Sequence, residues 1–316
     1  MKVLVTGATG FVGGRIIGRL REAGFDLRIA SRLPQRLAGA DDAAALPGAD
    51  APEEAFLALM RDVTHVVHCA ALNNDRGAGE ADLRAVNATL TGRLAKAAAA
   101  RAEGRFIYLS SIRAVVGPGF SGTIDEATPP APQCAYGRSK REGEIAMLEA
   151  FAAAGRGGAT ALRLPPVHGE GMKGNLRGLM RLAATGLPLP AAALTAVRSL
   201  ISNDAVAGAV THLLTRPMPP RPAYVPGDAA PVAMSEIIAA FRRGYGRPAR
   251  LVAMPAWPFR LLATLAGRQA SWTALVATQI CDPSLLASEG WTPEPDTLGR
   301  LEALARQAGR AVPGEA

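Results

Sequence analysis

The sequence predicts an α/β protein whose first half forms a doubly wound parallel sheet. Strand signals and helix signals alternate from residue 2 to residue 164, and the helices are long enough to cross over a sheet. A glycine-rich turn joins the first predicted strand to the first predicted helix. The remainder of the chain is less regular and rich in proline, which indicates a smaller second lobe.

The elements of the first half follow from short apolar runs for strands and longer periodic stretches for helices. Because helices separate the strands, the strands are expected to pair in parallel. In chain order the predicted elements are strand Lys2–Val5, helix Gly14–Ala23, strand Asp26–Ser31, helix Pro52–Met60, strand His65–Cys69, helix Ala81–Ala102, strand Arg105–Ser110, helix Tyr136–Ala154 and strand Thr160–Leu164.

A proline- and glycine-rich stretch from Pro165 to Gly174 interrupts this alternation and marks the predicted boundary. Residues 1–165 form the predicted sheet domain, and residues 166–316 form the predicted smaller lobe that shapes a substrate pocket. The segment Arg198–Leu214 is a candidate for returning to the first sheet.

Composition indicates an ordinary globular protein, because 49% of the 316 residues are hydrophobic and 20% are charged. The formal net charge of +8 suits an anionic ligand, or it reflects a solvated basic surface. Basic residues are not interleaved with aromatic ones, so nucleic-acid binding is not expected. An uninterrupted apolar run of about 18 residues is also missing, so a membrane span is not expected.

Cysteine and histidine spacing argues against disulfides and metal sites. Cys69, Cys134 and Cys281 are odd in number and widely spaced, which is typical of reduced thiols in a cytoplasmic protein. His65 and His68 are three residues apart in a predicted strand, so their side chains point to opposite faces. We therefore expect a cytoplasmic protein that holds no metal.

Three glycines follow the first strand at positions suited to a dinucleotide phosphate. Gly7 permits the tight turn, Gly10 removes a side chain where the backbone must approach the pyrophosphate, and Gly13 lets the helix pack against the sheet. The helix N-terminus offers free N–H groups and a partial positive charge to the phosphates. The strand before this turn and the helix after it are the context that such a site requires.

A tyrosine and a lysine four residues apart form the second chemical motif. Tyr136 and Lys140 lie on one face of a predicted helix, about one turn apart. A phenol titrates near pH 10, and a neighbouring ammonium favours its phenolate form, so the pair can act as an acid and a base. The strand that ends in Ser110 and Ser111 supplies a hydroxyl as the third member.

With these motifs, the chain resembles the extended short-chain dehydrogenase/reductase superfamily, in its nucleotide-sugar epimerase/dehydratase branch. The resemblance implies a Rossmann fold and covers nearly the whole chain. It rests on T-G-A-T-G-F-V-G at 6–13, H-C-A-A at 68–71, Asn87, S-S at 110–111, Y-G-R-S-K at 136–140, L-P-P-V-H-G at 164–169, G-N-L at 174–176, R-S-L-I at 198–201 and G-W-T-P at 290–293.

The resemblance assigns catalytic roles residue by residue. It implies that Tyr136 is the acid/base, that Lys140 is its electrostatic partner and a ribose ligand, and that Ser111 binds the reacting oxygen. Ser111 is preferred to Ser110 because its 25-residue spacing to Tyr136 is that of nucleotide-sugar epimerases. The loop from Ser111 to Gly117 is one residue longer than usual, which leaves the choice of serine open.

Cofactor and substrate residues follow from the same resemblance. Asn175 and Leu176 are expected near the nucleotide base or phosphates, and Arg198 at the diphosphate, where a guanidinium fork suits phosphate oxygens. Asp50 is expected near adenine, or as the cap of the helix at 52–60. The other implied cofactor contacts are Gly7, Thr9, Gly10, Phe11, Val12, Gly13, Ala70, Ala71, Asn87, Tyr136, Lys140 and Pro165.

The end of the second strand departs from the pattern of NAD-preferring members. Those members carry an Asp that binds the adenosine ribose, whereas this chain has Ser31 and Arg32. A hydroxyl and a guanidinium favour a 2′-phosphate, so the sequence predicts NADP as the favoured cofactor, with NAD as the alternative. Arg36 could assist.

The leading hypothesis is an NAD(P)-dependent oxidoreductase that moves a hydride to or from C4 of a nucleotide-linked sugar, with a UDP-sugar as the expected partner. A keto-sugar reductase or dehydrogenase is favoured over a 4-epimerase with bound NAD. Ile112 and Arg113 replace the Asp-Glu pair of sugar dehydratases, which disfavours dehydration. The further alternatives are a reductase of a non-nucleotide ketone and a non-catalytic NADP-sensing regulator.

A homodimer is also expected by resemblance. The predicted helices Ala81–Ala102 and Tyr136–Ala154 would form the interface, because their alanine-rich faces allow close packing. The same small side chains could instead serve the core of the domain itself.

Overall fold

A seven-stranded parallel sheet dominates the computed structural model, which describes residues 1–37, 42–73, 77–185, 187–189, 191–192, 194–252, 257, 264–265, 267 and 269–310. The described strands are β1 (Lys2–Thr6), β2 (Asp26–Ser31), β3 (Ala43–Ala45), β4 (His65–His68), β5 (Phe106–Ser111), β6 (Gly122–Ile124), β7 (Ala159–Leu164), β8 (Val167–His168), β9 (Val197–Arg198), β10 (Ile201–Ser202), β11 (Ala223–Tyr224), β12 (Val232–Ala233) and β13 (Gln279–Cys281). In the main sheet their order is β11-β7-β5-β4-β1-β2-β3.

Helices cover both faces of this sheet. The described helices are α1 (Phe11–Glu22), α2 (Glu53–Leu59), α3 (Glu80–Arg84), α4 (Leu90–Arg101), α5 (Ala135–Ala153), α6 (Gly174–Ala184), α7 (Asn203–Thr215), α8 (Met234–Gly244), α9 (Gln269–Val276), α10 (Ser284–Ser288) and α11 (Thr297–Arg310). A π-helical turn at Ala85–Thr89 joins α3 to α4. No helix in this described set is both long and apolar enough to cross a membrane.

The alternation along β1 shows how the sheet divides the core into two layers. Val3 and Val5 pack with Ile16 of α1 on one face, whereas Leu4 packs with Phe56 of α2 on the other face. All five side chains are essentially inaccessible to solvent. The doubly wound α/β fold predicted from the sequence is therefore confirmed.

The first predicted helix starts three residues earlier than expected. Gly10 is its N-cap, and the backbone N–H of Gly14 already donates to the Gly10 carbonyl at 3.0 Å. The glycine turn therefore runs directly into α1, and its last glycine, Gly13, lies inside the first helical turn.

The long helix predicted at Ala81–Ala102 is interrupted by the π turn. There the Asn87 carbonyl accepts hydrogen bonds from the Tyr108 hydroxyl and the Thr91 hydroxyl, both at 2.8 Å. A Cβ at Gly143 of α5 would lie 2.2 Å from the same oxygen. Because that carbonyl is bonded to side chains and closely covered by α5, the regular helical hydrogen-bond ladder is displaced at this point.

After Pro165 the chain builds a second lobe and also returns to the main sheet. Helix α7 packs beside α1, with Val210 and Leu213 in the same core layer as Ile16. Strand β11 then pairs in parallel with β7. The second lobe contains α6, α8 and α11 and a sheet of order β12-β9-β13-β6, so β6 comes from the first half of the chain.

Two histidines of β4 are buried and neutral. Burial is the main reason that the pKa of His68 falls to about 3 and that of His65 to about 4. The His68 ring lies between the Thr6 hydroxyl at 2.7 Å and the Thr91 hydroxyl at 3.0 Å. His65 instead accepts the backbone N–H of Arg105 at 2.9 Å, so each ring has its own partner within the core.

The lowered pKa values of these two histidines predict that the folded protein loses stability in acid. From pH 6.5 down to about 4 for His65, and down to about 3 for His68, the unfolded chain binds more protons than the folded chain. The free energy of unfolding therefore falls as pH falls, by at most about 1.4 kcal/mol per pH unit for each histidine within its own window. Urea denaturation of wild type and His68→Gln at pH 7, 6, 5 and 4 measures this. We expect a shallower slope for the variant, and equal slopes would contradict the assignment.

Candidate active site

The glycine turn lies at the carboxyl edge of the sheet, where the strand order reverses. β2 lies on one side of β1 and β4 on the other, which opens a crevice above β1. Gly7 has a φ of +72°, and a Cβ there would lie 2.5 Å from the backbone nitrogen of Ala70. A Cβ on Gly13 would lie 2.2 Å from the Gly7 carbonyl oxygen. The backbone packing therefore requires both glycines.

The start of α1 faces this crevice without a side-chain cap. Gly10 makes no side-chain capping bond, and the first turn of the helix contains no acidic residue. Among the described residues, a Cβ on Gly10 would meet only the Gly7 carbonyl oxygen, at 3.0 Å. The exposed Thr9 and the half-buried Phe11 and Val12 surround this point. The N–H groups and partial positive charge here fit a dinucleotide diphosphate.

The loop after β4 forms the other wall of the crevice, and Asn87 holds it in place. The Asn87 side chain accepts the N–H of Leu72 and donates to the Leu72 carbonyl, both at 2.8 Å. It also donates to the Ser139 hydroxyl at 3.0 Å. Asn87 is fully buried, so its amide positions the loop that contains Ala70 and Ala71.

The helix with the tyrosine and lysine starts at the site, since Tyr136 is the second residue of α5. Tyr136 is half-buried, whereas Lys140, one turn later, is only 1% exposed. The Lys140 ammonium donates to the Leu109 carbonyl at 2.7 Å and lies 4.2 Å from the centre of the Tyr108 ring. Burial lowers the pKa of Lys140 to about 7, although the Glu144 carboxylate raises it.

The two serines at the end of β5 have different environments. Ser110 is buried, and its hydroxyl donates to Glu144 at 2.6 Å. Ser111 is half-buried, and its hydroxyl accepts the backbone N–H of Arg113 at 3.2 Å, which leaves its own proton for a ligand. The geometry therefore favours Ser111 as the hydroxyl that meets a substrate.

The long loop after Ser111 is anchored by Arg113. Its guanidinium donates to the Gly117 carbonyl at 2.7 Å and to the side-chain oxygen of Gln279 at 2.6 Å. A Cβ on Gly137 would lie 2.2 Å from the Arg113 carbonyl oxygen, so the loop lies directly on the first turn of α5. Ile112 is buried, and neither 112 nor 113 offers a carboxylate for dehydration.

The expected adenosine end lies at the edge of the sheet formed by β2 and β3. Ser31 ends β2 and its hydroxyl accepts the Leu33 N–H at 3.2 Å, while Arg32 is exposed. Asp50 is also exposed, and Pro52 occupies the N-cap of α2. The alternative that Asp50 caps this helix is therefore wrong. The Arg36 side chain is outside the described residues.

The three predicted substrate residues line one cavity of about 530 Å³, which is formed by residues that follow Pro165. Asn175 and Leu176 belong to the first turn of α6, and Arg198 ends β9. Pro166 and Val167 form one wall of this cavity. This wall follows Leu164, which pairs with Ser111 across β7 and β5. Pro165, between them, is buried.

Two further polar side chains of the motif regions have structural partners. His168 is 1% exposed and bonds the Asp228 carboxylate at 2.8 Å, so it links β8 to the second lobe and does not face a substrate. Cys134 caps α5 by accepting the Gly137 N–H at 3.3 Å. All three cysteines are free thiols, and burial raises the pKa of Cys69 to about 12.

Sequence reasoning did not identify Glu144. This fully buried carboxylate accepts hydrogen bonds from Ser110, from Arg163 of β7 at 3.0 to 3.3 Å, and from Arg141 at 2.9 Å. The only available signal was its position one helical turn after Lys140. Its charge compensates two arginines and supports the ammonium of Lys140.

Comparison with known proteins agrees with the family resemblance that the sequence motifs indicated. The sequence profile of the NAD dependent epimerase/dehydratase family matches residues 3–226. The chain is 30% identical over 309 residues to a UDP-glucose 4-epimerase from Vibrio cholerae, covering 94% of this chain and 92% of that relative.

Solved structures share the fold. A UDP-N-acetylglucosamine 4-epimerase from Bacillus cereus is similar with a TM-score of 0.76 at 19% identity, over 100% of this chain and 99% of its own. A UDP-glucose 4-epimerase from Thermus thermophilus, in complex with NAD, has a TM-score of 0.73 at 21% identity, over 99% of this chain and 100% of its own. At these identities the two structures support the fold alone.

Proposed function

The chain belongs to the NAD dependent epimerase/dehydratase family, and from that premise we propose that it exchanges hydride at C4 of a UDP-linked sugar and works as a 4-epimerase. The observation that carries this proposal is one arrangement of residues. Ser111 ends β5 and pairs with Leu164, two residues before Pro166, which lines the same cavity as Asn175, Leu176 and Arg198. Tyr136 and Lys140 lie in the first two turns of α5. The name of the Vibrio cholerae relative favours epimerisation as the net outcome.

The nicotinamide cofactor, when bound, accepts and returns the hydride. The N-terminus of α1 and the Gly7–Gly13 turn would hold its diphosphate, and the loop fixed by Asn87 would lie on its other side. Ser31 and Arg32 would receive the adenosine ribose. Since a serine and an arginine suit a 2′-phosphate better than an aspartate would, we propose a preference for NADP over NAD.

Three side chains of the protein itself carry out the proton transfer. Tyr136 takes the proton of the C4 hydroxyl as the hydride leaves and gives it back when the hydride returns. The Ser111 hydroxyl donates to the same oxygen and fixes its position. The buried Lys140 ammonium stabilises the phenolate form in which Tyr136 takes the proton, which is the reason for keeping a cation in a desolvated site.

A keto-sugar reductase is the second candidate, and Ser31 with Arg32 is the observation that favours it. An epimerase regenerates its cofactor within one turnover, whereas a reductase draws on a pool of reduced cofactor. An adenosine site that prefers NADP is expected of an enzyme that draws on a pool of reduced cofactor, and therefore of a reductase.

Titration calorimetry and product analysis distinguish the two. The purified protein is first checked for bound cofactor and then titrated with UDP, NAD and NADP. For an epimerase we expect UDP binding and conversion of UDP-glucose into its C4 epimer without net change in nicotinamide absorbance at 340 nm. Net loss of that absorbance with a UDP-4-keto-sugar identifies a reductase. Failure to bind UDP contradicts both candidates.

The homodimer remains a prediction. Ala95, Ala97, Ala98 and Ala99 of α4 are buried within the core of the chain itself, so this alanine-rich face is not available to a partner. An interface on these helices would use other faces, such as the side of α5 where Ile145 is 39% exposed.

A further inference from the structure

Two neighbouring arginines, of which Arg198 lines the substrate cavity, have no carboxylate partner among the described residues. Arg113 donates only to carbonyl and amide oxygens, those of Val116, Gly117 and Gln279. Arg198 donates to the Ala277 carbonyl at 3.3 Å, and its Nε is buried without any hydrogen-bond partner in the described structure. Half-buried cations without a counter-ion are costly unless an anion joins them.

Gln279 places the two guanidinium groups in neighbouring positions. Its side-chain oxygen accepts from Arg113 at 2.6 Å. Its backbone lies directly beside Arg198, because β13 pairs with β9 at that residue. The Gln279 amide also donates to the carbonyls of Gly117, Pro118 and Phe120 at 3.0 to 3.2 Å, so the same side chain holds the loop that follows Arg113.

The pKa values of the two arginines agree with their placement on either side of Gln279. Desolvation, and then the charge of Arg113, lowers the pKa of Arg198 to about 10. Desolvation likewise lowers the pKa of Arg113. The two cations therefore repel each other in a partly dry site, and a bound anion would relieve that repulsion.

We propose that Arg113 is a second anion-binding residue of the substrate site, acting beside Arg198 on a negatively charged group of the substrate. The inference rests on the proposed function. Arg113 follows Ser111 by two residues, so it lies between the reacting end of the site and Arg198. The group it meets therefore belongs to the sugar side of the substrate: the second phosphate of the diphosphate, or a carboxylate carried by the sugar.

Calorimetric titration with UMP, UDP, UDP-glucose and UDP-glucuronate tests the proposal and separates the two sources. Arg113→Gln removes the charge. Loss of charge-assisted hydrogen bonds is expected to weaken binding about 10- to 100-fold. If the group is the second phosphate, UDP weakens by this factor and UMP by less than about threefold. If it is a sugar carboxylate, UDP is unchanged and the wild-type preference for UDP-glucuronate over UDP-glucose disappears.

Two variants accompany this experiment. Arg101→Gln removes an exposed arginine of α4 and is expected to leave all four affinities unchanged. Arg113→Lys keeps the charge but cannot contact Gly117, Gln279 and a ligand together, so we expect an intermediate effect. It also provides the comparison if Arg113→Gln does not fold.

Two results with Arg113→Gln would overturn the proposed role of Arg113: equal weakening of the affinities for UMP and UDP, or no change in the affinity for any of the four ligands. If only Arg113→Lys can be measured, affinities equal to those of wild type would overturn it as well. These results leave the proposed function intact when wild type binds UDP. Failure of wild type to bind UDP would instead refute the proposed function itself.

Discussion

Replacement of Tyr136 by phenylalanine is expected to lower kcat for UDP-sugar conversion by a factor of about 10²–10⁴, the range that a positioned acid/base contributes. Tyr136 is the half-buried residue at the start of α5, one turn before Lys140. Phenylalanine keeps the ring and removes only the group that carries the proton. Cofactor binding, measured by titration, is expected to change by less than about threefold.

The matched control is Tyr245→Phe, which removes a phenol hydroxyl at the C-terminal end of α8, in the second lobe. We expect its kcat to equal that of wild type. A Tyr136→Phe enzyme that keeps more than a tenth of wild-type kcat would show that another group moves the proton. Binding of cofactor by wild type without activity on any sugar nucleotide would favour the non-catalytic alternative.

Replacement of Glu144 by alanine is expected to cost about 3–5 kcal/mol of unfolding free energy, the usual result of removing one partner from a buried ion pair. The Glu144 carboxylate is 0% exposed and accepts from Arg163, Arg141 and Ser110. Without it, the guanidinium of Arg163 stays in the core, where only 5% of the residue is exposed. Urea denaturation at pH 7 measures the loss.

Glu142→Ala is the matched control on the same helix. Its carboxylate pairs with Arg84 at 2.8 Å on the surface, where such pairs contribute at most about 1 kcal/mol. If the two variants were equally stable, the buried network would not be a stabilising element. A second readout is the pH dependence of kcat, since loss of the Glu144 charge is expected to lower the pKa of Lys140 further.

Much of the fold and the site could be predicted because the signals are local. The spacing of Gly7, Gly10 and Gly13 determines a backbone turn, and the spacing of Tyr136 and Lys140 determines a helix face. Both depend on a few neighbouring residues and on helix geometry alone. The convergence of Asn175, Leu176 and Arg198 on one cavity followed from the family resemblance, since their sequence positions alone do not place them together.

The features that were not predicted depend on contacts between distant segments. The π turn in the helix at 80–101 arises because the hydroxyl of Tyr108, a residue of strand β5, donates to the Asn87 carbonyl. The difference between Ser110 and Ser111 depends on Glu144, 34 residues further along the chain. The role of Gln279 depends on a strand pairing near the end of the chain. Periodicity and propensity carry no information about such partners.

Strand β11 has a consequence for how the protein is made. A ribosome must release about 60 residues beyond β7 before Ala223 and Tyr224 can cover that strand, and α7 must emerge before α1 gains its neighbour. Until then a nascent chain ending near residue 165 exposes a β7 backbone edge and the apolar side chains of α1, both of which favour aggregation. We therefore infer that the amino-terminal half cannot be produced as a stable fragment, and that sheet completion is a late event in biosynthesis.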